Sequence, residues 1–404
     1  MGKKNLVLFT DSFYFEDSTS QYNSQIAKNL SKENFVTVVC AKNIFSKYPY
    51  FEKIQKNLSV IRLPTLFTNS KIIPLKIIKF ISFSLSVSAY LFFKKRKKET
   101  FLICTSPPVI LPPIILITKI KELFKRKIIK KVLLGQDIYP DLLGEEKNFK
   151  KIKYILIIFL NLIYMKTYKE FDMAIACCEP IKEKLVKKYN LPNNHVNVIN
   201  NWSLVNKNII DSHISTKLTD KNKIKMLIIG NLGKPHLYKQ TTNSLENILK
   251  KSQLIESLHM YTRGCYHMDV YNQLKKLGNV YLHNLINADD LSKVYSGPSI
   301  TIVPLSQLVS LCAFPSRIAT AVSLGSPVLV ITDYLENNYL AYFVKKYNIG
   351  LVVNKTIELN KDDWISNHFK LNFNIYQENC LKLYKKLFTK EKNLKQISNL
   401  IQKI

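Results

Sequence analysis

The stretch from residue 300 to residue 333 constrains the fold more than any other part of the chain. Its two ends, Ile300–Leu305 and Val328–Ile331, are short apolar runs rich in β-branched residues, as expected of parallel strands that are buried on both faces. Between them, Ser316 predicts the N-cap of a helix, and Gly325 predicts its end. A helix that begins just beyond the carboxyl end of a strand points unpaired N–H groups into the crevice of the sheet, where an anion can bind.

The two residues beside the predicted N-cap fit such an anion site. Pro315 precedes Ser316 and helps to open the helix, and Arg317 lies in the first turn, where its guanidinium can add a charge-assisted contact. An ordinary strand–helix–strand crossover without a ligand would show the same pattern, so the spacing alone leaves both interpretations open.

The first half of the chain alternates short apolar runs with helical segments. The predicted strands are Asn5–Phe9, Phe35–Ala41, Leu58–Leu63, Phe101–Thr105, Lys130–Leu134, Met173–Cys177 and Val196–Asn200. Such alternation, with polar loops at the strand ends, predicts a doubly wound parallel sheet.

The alternation restarts in the second half of the chain. Beside the two strands already described, the predicted strands there are Met226–Ile229, Leu258–Thr262, Val280–Leu285 and Gly350–Val353. We therefore predict an α/β fold with two tandem Rossmann-like domains, residues 1–202 and 223–375. Residues 203–222 are predicted as a linker, and residues 376–404 as a helical tail that packs back toward the first domain.

Charge and cysteine content limit the partners and the compartment. The 60 Lys and Arg residues against 29 Asp and Glu give a formal net charge of +31, which favours phosphate-bearing partners such as nucleic acid, anionic lipid or nucleotide-linked substrates. Nucleic acid is disfavoured, because the aromatic residues do not alternate with Lys and Arg as a base-stacking surface requires. The seven cysteines form no C-x-x-C pair, and the chain enters a strand at residue 5, so we expect reduced thiols, no signal peptide and a cytoplasmic protein.

Two apolar segments of the first domain adjoin lysine clusters. Ile72–Phe93 is followed by the basic run Lys94–Lys98, and Tyr154–Met165 is preceded by four lysines between residues 147 and 153. Apolar helix faces beside lysines predict peripheral docking onto the anionic inner face of the cytoplasmic membrane. Core helices with solvated lysines at their ends would give the same pattern, whereas Pro74 and four serines disfavour a membrane-spanning helix.

The sequence lacks the common cofactor and metal motifs. It has no G-x-G-x-x-G or Walker loop, no D-x-D and no H-E-x-x-H, so neither a nucleotide redox cofactor nor a bound metal is expected. What remains is a set of strand-end loops in the second domain. The loop Gly230–Lys234 allows close backbone approach, Lys239 can hold a phosphate, and Arg263 with Gly264 ends a later strand.

The order of these motifs resembles that of a known enzyme family. In chain order they are TSPP from Thr105, QDIYPD from Gln136, INNW from Ile199, GNLG from Gly230 and FPSRIATAVSLGSPVL from Phe314. Together they resemble the retaining glycosyltransferases of family 4. More narrowly, they resemble the bacterial subgroup that builds O-antigen, capsule and colanic-acid-type polysaccharides, including L-fucosamine transferases.

The resemblance covers nearly the whole chain and implies a function. It implies a GT-B fold, in which the first domain binds the acceptor, the second binds the nucleotide-sugar, and the reaction takes place in the cleft between them. It also implies a nucleoside-diphosphate-sugar donor, UDP-linked, and a polyprenyl-diphosphate-linked or oligosaccharide acceptor, with no metal.

The resemblance also assigns roles to residues. The catalytic residues that it implies are Asp137, Lys234 and Arg317. The donor-binding residues that it implies follow strands of the second domain: Gly230, Asn231, Gly233, Lys239, Arg263, Gly264, Pro315, Ser316 and Thr320. The residues that it implies on the acceptor side are Asp11, Ser12 and Ser18.

The chain departs from the family pattern at three positions. Many members carry two glutamates eight positions apart, the second of which binds the ribose diol, whereas this chain has Cys312 and Thr320 there. Asn231 stands where other members have an arginine, which shifts the phosphate contacts onto lysines. A nucleotide-sugar 2-epimerase of the same fold, or a non-catalytic membrane-bound scaffold, therefore stays open as an alternative.

A metal-free site of this kind must neutralise the leaving nucleoside diphosphate with side chains and a helix N-terminus. We expect Arg317, Lys234 and Lys239 to do so. The acceptor would attack on the face from which the diphosphate departs, and the leaving phosphate would take the acceptor's proton.

Overall fold

A computed structural model describes residues 2–13, 18–44, 47–66, 73–94, 98–105, 108–125, 129–142, 151–212, 216–233, 236–287, 290–354 and 363–404. The chain divides into two compact units. Unit 1 comprises Met1–Asn200 and Leu394–Ile404, and unit 2 comprises Asn201–Asn393.

Unit 1 contains one eight-stranded sheet. Its strands are β1 (Asn5–Phe9), β2 (Phe35–Asn43), β3 (Phe51–Gln55), β4 (Leu58–Thr65), β5 (Thr100–Cys104), β6 (Lys130–Gly135), β7 (Met173–Ala176) and β8 (Val196–Val198). Their order in the sheet is β3-β4-β2-β1-β5-β6-β7-β8, and every pairing is parallel except that of β3 with β4. The order reverses at β1, so the loops that follow β1 and β5 lie side by side at the carboxyl edge.

Five α-helices lie between these strands among the described residues of the range 1–200. They are α1 (Ser18–Leu30), α2 (Ile73–Phe93), α3 (Leu111–Lys125), α4 (Lys151–Tyr168) and α5 (Glu179–Lys187). The inner face of α2 buries Phe83, Val87 and Leu91 almost completely. This burial holds the helix against the sheet through the hydrophobic effect.

Unit 2 contains a six-stranded sheet in which every pairing is parallel. Its strands are β9 (Ile224–Asn231), β10 (Ile255–Arg263), β11 (Val280–Leu282), β12 (Ser299–Pro304), β13 (Val328–Ile331) and β14 (Gly350–Val353). Their order, β11-β10-β9-β12-β13-β14, reverses between β9 and β12. In open α/β sheets, this reversal is where ligands bind.

The helices of unit 2 cover both faces of this sheet. They are α6 (Lys207–Ser212), α7 (Tyr238–Lys251), α8 (His267–Leu274), α9 (Leu291–Val294), α10 (Gln307–Ser310), α11 (Ser316–Ser323), α12 (Tyr339–Tyr347) and α13 (Trp364–Leu383); α14 (Lys390–Lys403) begins in unit 2 and ends in unit 1. The larger core cluster joins strands β9, β10 and β12 to α7, α8 and α13, with Phe369 and Phe373 fully buried in it.

The predicted α/β fold with two Rossmann-like parallel sheets is confirmed. The predicted bounds of β1, β13 and β14 coincide with the observed ones, because these runs are apolar and end abruptly at polar or glycine residues. The sequence analysis missed β3. None of its five residues is buried, so this edge strand carries no apolar alternation that could reveal it.

The predicted N-cap of α11 is wrong by one residue. Pro315 occupies the N-cap with an extended backbone, φ −70° and ψ 116°, and Ser316 is the first helical residue. Proline fixes φ near the value observed and has no side-chain oxygen, so the cap makes no side-chain hydrogen bond to the helix.

The residues predicted as a linker pack onto unit 2. Val205 and Leu218 are buried there, and α6 lies within the segment. The Leu218 N–H donates to Asn374 Oδ1 at 2.9 Å, and Asn374 Nδ2 donates to the Leu218 oxygen at 3.1 Å. This reciprocal pair ties the segment to helix α13, which itself runs across the predicted boundary at residue 375.

The end of the chain packs on unit 1. Lys4 Nζ donates to the backbone oxygens of Ile401 and Gln402 at 3.0 and 2.9 Å, and Asn29 Nδ2 donates to Ser398 Oγ at 2.8 Å. An ammonium at the last carbonyls of a helix also interacts favourably with the helix dipole.

Among the described residues, no helix combines the length with the apolar character that crossing a bilayer requires.

A substitution at Gly350 tests how closely β13 and β14 pack. Gly350 has φ +155°, and an alanine Cβ there would lie 1.9 Å from the Val328 backbone oxygen, which cannot move without disturbing β13. We expect Gly350→Ala to lower the free energy of unfolding of unit 2 by about 2–4 kcal/mol. The two tryptophans, Trp202 and Trp364, both lie in unit 2, so urea unfolding followed by tryptophan fluorescence reports on this unit.

Gly278→Ala is the matched control. Gly278 also has a positive φ, +80°, but no atom lies within 4 Å of its added Cβ. Its loss should be only the backbone cost of about 1–2 kcal/mol. Equal losses in the two variants would contradict the close approach of the strands.

Candidate functional site

The loops that follow β9 and β10 meet closely at the carboxyl edge of the unit 2 sheet. Gly230 pairs in register with Thr262 and Asn231 with Arg263, and the Leu232 N–H donates to the Arg263 oxygen at 2.7 Å. Gly264 has φ +117°, and a Cβ there would lie 2.3 Å from Asn231 Oδ1. Only glycine allows the two loops to approach this far.

Arg317 reaches this pair of loops from the first turn of α11. Its Nη2 donates to the Asn231 backbone oxygen at 2.8 Å, and the same nitrogen lies 3.9 Å from where a Cβ at Gly230 would be. Its Nη1 is buried and has no hydrogen-bond partner among the described residues. Burial lowers the pKa of Arg317 to about 10, so the guanidinium stays charged at neutral pH.

His236 holds the other side of this guanidinium. Its Nε2 lies 3.2 Å from Arg317 Nη2, and its Nδ1 lies 3.0 Å from the Gly233 backbone nitrogen and 3.1 Å from the Gly233 oxygen. Because an arginine can only donate, Nε2 accepts, so in the neutral imidazole Nδ1 carries the proton and donates to the Gly233 oxygen rather than accepting from the Gly233 N–H. Burial and, to a smaller extent, the positive charge of Arg317 lower the pKa of His236 to about 3. The imidazole is therefore neutral at physiological pH.

The sequence analysis missed His236, since no motif marks it and its partner Arg317 is 81 positions away. The only local signal was its place in the loop after β9, three residues beyond Gly233. Which residue of such a loop turns toward α11 depends on the tertiary structure.

The other predicted donor-side residues have different environments. Pro315 and Ser316 form the start of α11, and Thr320 lies half-buried one turn later. Lys239 is exposed in the first turn of α7. No contact within the described part of the chain joins Lys239 or Thr320 to Arg317, and Lys234 lies outside the described residues.

Cys312 takes the place of the first family glutamate, and its side chain is buried. It adds no charge to the crevice. The described residues therefore bring together Gly230, Asn231, Arg263, Gly264 and Arg317. The guanidinium of Arg317 has no carboxylate partner among them.

In unit 1, hydrogen bonds link the ends of β1, β5 and β6 around Asp137. Thr105 Oγ1 accepts from the backbone N–H groups of Gln136 and Asp137, each at 3.2 Å. Gln136 Nε2 donates to Asn23 Oδ1 at 3.4 Å, and Asn23 Nδ2 donates to Thr10 Oγ1 at 2.9 Å. Burial raises the pKa of the Asp137 carboxyl to about 6, which is the range that proton transfer at neutral pH requires.

Asp141, four residues further on, serves a different purpose. Although burial raises its pKa, hydrogen bonds from Lys188 and Tyr189 and the charge of Lys184 hold it below its usual value. These contacts anchor the end of the loop. Asp137 thus remains the aspartate of this loop that is available for chemistry.

The predicted acceptor-side residues lie together after β1. Asp11 Oδ2 forms an ion pair with Lys79 of α2 at 2.7 Å, while Asp11 Oδ1 is buried without a partner among the described residues. Ser12 Oγ donates to Ser20 Oγ at 3.1 Å, and Ser18 is the first residue of α1.

Metal-binding geometry is not found in the described part of the chain, where no three His, Cys, Asp or Glu side chains cluster.

Comparisons with known proteins bear on the fold. No protein-family profile and no curated protein sequence matches the chain. Among solved structures, sucrose-phosphate synthase from Thermosynechococcus elongatus matches with a TM-score of 0.72 at 11% identity, over 99% of each chain. WaaG, a glycosyltransferase involved in lipopolysaccharide biosynthesis, matches with a TM-score of 0.65 at 11% identity, over 98% of this chain and 99% of its own.

A third match is a structure described as trehalose-6-phosphate from E. coli bound with UDP-2-fluoro glucose. Its TM-score is 0.66 at 10% identity, over 99% of each chain. At such low identity these matches concern the fold, and they confirm that the chain has the α/β architecture of GT-B glycosyltransferase structures.

The half-buried carboxyl of Asp137 predicts a pH-dependent stability. Its folded pKa of about 6 lies above the reference value of 3.8, so ionisation opposes folding, and this cost disappears as the pH falls through 6. At neutral pH, Asp137→Asn should therefore stabilise the protein by about 1–3 kcal/mol, a gain that vanishes toward about pH 4. Thermal unfolding followed by circular dichroism at several pH values measures this difference.

Asp141→Asn is the control for this experiment, and it should do the opposite. It removes the acceptor of Lys188 and Tyr189, so it should destabilise the protein at neutral pH. If Asp137→Asn also destabilised the protein at neutral pH, the folded protein would not raise the pKa of the Asp137 carboxyl.

Proposed function

We propose that this protein is a retaining glycosyltransferase. It moves a sugar from a nucleoside-diphosphate-sugar, UDP-linked, to a lipid-linked or glycan acceptor in the synthesis of bacterial surface polysaccharide such as O-antigen or capsule. Unit 2 binds the donor and unit 1 the acceptor, at the inner face of the cytoplasmic membrane.

One observation carries this proposal. At the switch point of the unit 2 sheet, the guanidinium of Arg317 has one buried nitrogen without a partner among the described residues, next to a glycine loop and a helix start without a side-chain cap. Such a site complements an anion, and a diphosphate supplies several acceptor oxygens. The E. coli structure described with UDP-2-fluoro glucose and the lipopolysaccharide enzyme WaaG support the same donor and pathway class.

The chemistry follows from the placement of the charges. The bond between the sugar C1 and the diphosphate oxygen breaks, and a bond from C1 to the acceptor oxygen forms on the same face. Arg317, with Lys234 and Lys239, stabilises the negative charge that develops on the leaving diphosphate, so the proposed reaction needs no metal. The acceptor proton passes to a leaving phosphate oxygen, and Asp137 faces the transferring sugar.

The first test concerns the cationic side chains. We expect Arg317→Ala to lower kcat/KM about 100-fold, which corresponds to about 2.7 kcal/mol of transition-state stabilisation, and Lys234→Ala to lower it in the same direction. The assay is a donor screen with membrane-extracted lipid-linked acceptor, in which released UDP, GDP or dTDP is measured. The control is Lys370→Ala, which removes a cation that pairs with Asp220 on another surface of unit 2.

Changes smaller than about threefold, or ~0.7 kcal/mol, in both variants would refute the assignment of the leaving-group cations. Turnover of a UDP-sugar without acceptor would identify an epimerase instead. A complete lack of affinity for nucleoside diphosphates in calorimetry would favour a non-catalytic scaffold, which the buried Cys312 in place of a glutamate also favours.

The second test separates the positioning role of His236 from a catalytic one. His236→Ala removes the acceptor that orients Arg317, and we expect about tenfold weaker binding of UDP, whereas His236→Gln should recover most of it because its amide oxygen can accept. Calorimetric titration with UDP measures this affinity. Because the His236 pKa is about 3, the wild-type pH profile should show no His236 titration over about pH 5–8. Full UDP affinity in His236→Ala would mean that Arg317 needs no such support.

A further inference from the structure

Helix α2 is apolar on its outer face as well as on its inner face. Opposite the buried Phe83 and Val87, it exposes Ile81, Leu85 and Phe92, which follow one another at intervals of four and seven residues and so form one stripe. A helix of a water-soluble sheet protein normally presents polar residues on that side. The outer stripe of α2 therefore needs an explanation other than the core.

Helix α3 continues this apolar surface. Its outer face exposes Leu116, Ile120, Leu123 and Phe124, the last two being 83% and 79% exposed. The sequence analysis did not single out this helix, because Lys119, Lys121 and Glu122 interrupt its apolar run. Two of the most exposed apolar side chains of unit 1 were thus missed.

Helix α4 adds a third stripe, with Ile155, Phe159 and Leu162 exposed. The three helices connect β4 to β5, β5 to β6 and β6 to β7, and right-handed crossovers in one direction place them in one layer on the same face of the sheet. We call their exposed apolar surface the outer face of the α2–α4 layer.

Contacts between the helices make this layer continuous. Lys121 Nζ of α3 donates to the backbone oxygens of Leu91 and Lys94 at the end of α2, the second at 3.2 Å. Lys119 of α3 forms an ion pair with Glu170, just beyond α4, at 2.5 Å. The three stripes therefore lie beside one another rather than on separate surfaces.

The charge of these three helices is predominantly positive. The three helices contain a single acidic residue, Glu122, which pairs with Lys131 at 3.2 Å, and they contain eight lysines. The run Lys94–Lys98 follows α2 in the sequence, and Lys98 and Lys166 are exposed. An apolar face bordered by cations complements a bilayer whose surface is anionic.

We propose that the outer face of the α2–α4 layer docks on an anionic phospholipid surface, with Phe92, Phe93, Leu123 and Phe124 entering the headgroup region. Two copies of this face would bring like charges together, which disfavours a dimer through it. The proposal deepens the proposed function, since a lipid-linked acceptor has to be reached at a membrane. Its test needs neither a donor nor an acceptor.

The experiment is co-sedimentation of the full chain with phosphatidylcholine vesicles, with and without phosphatidylglycerol. We expect binding only to vesicles that contain phosphatidylglycerol, and weaker binding as salt rises. The double variant Leu123→Glu, Phe124→Glu should bind at least about tenfold more weakly, because it places two carboxylates in the headgroup region. Both side chains are exposed, so the variant should keep its fold, which circular dichroism checks.

The matched control is the double variant Leu371→Glu, Ile375→Glu on α13 of unit 2, where the side chains are 79% and 51% exposed. It adds the same charge away from the layer and should bind as the wild type does. Wild-type protein that stays in the supernatant, or undiminished binding of the α3 variant, would overturn the proposal. So would a wild-type dimer in solution that the α3 variant dissociates.

Transfer to a soluble acceptor, measured on the same variants, keeps the two proposals apart. Loss of vesicle binding with transfer intact concerns only the docking face. Absence of sugar transfer by the wild-type protein, with vesicle binding intact, would contradict only the proposed function.

Discussion

The half-buried positive charge of Arg317 is the constraint around which the crevice of unit 2 is arranged. A guanidinium that leaves water needs acceptors for its N–H groups, and here the described acceptors are the Asn231 oxygen and the neutral Nε2 of His236. A carboxylate partner would cancel the charge. A backbone oxygen and an imidazole position it and leave it positive.

This arrangement explains why glycines and a neutral histidine surround the arginine. Gly230 leaves the guanidinium accessible, and Gly264 lets the β10 loop pack within van der Waals distance of the β9 loop. Protonation of His236 would put a second cation beside Arg317, which is one reason why its pKa is so low. The crevice therefore keeps a positive charge that complements an anion.

The sequence predicts the sheets better than it predicts this constellation. Strand β13 is buried throughout and β14 ends in two buried valines, and the residue types of these short apolar runs suffice to locate them. Edge strand β3 has no buried residue, and the contacts of Arg317 with Asn231 and His236 join residues more than 80 positions apart. Periodicity reports what a segment buries, and it carries no information on which loop side chains meet across a sheet edge.

The loop after β6 shows the same limit at the level of single residues. Asp137 and Asp141 belong to one short motif and look alike in the sequence. Lys184, Lys188 and Tyr189, from α5 and its end, hold the pKa of Asp141 below its usual value. Asp137 is half-buried, its backbone N–H is the group bound by Thr105, and burial raises the pKa of its carboxyl to about 6. Environment, rather than residue type, distinguishes a structural carboxylate from one suited to chemistry.

Helix α2 connects the two proposals made for unit 1. Its inner face packs on the sheet through Phe83 and Val87, its Lys79 holds Asp11 at the end of β1, and its outer stripe forms part of the apolar layer. The helix is continuous from Ile73 to Phe93, so a surface that restrains its outer face also restrains the ion pair at its first turns. The position of the Asp11 loop and the docking of the layer therefore depend on one rigid element, and a substitution that displaced α2 would change both.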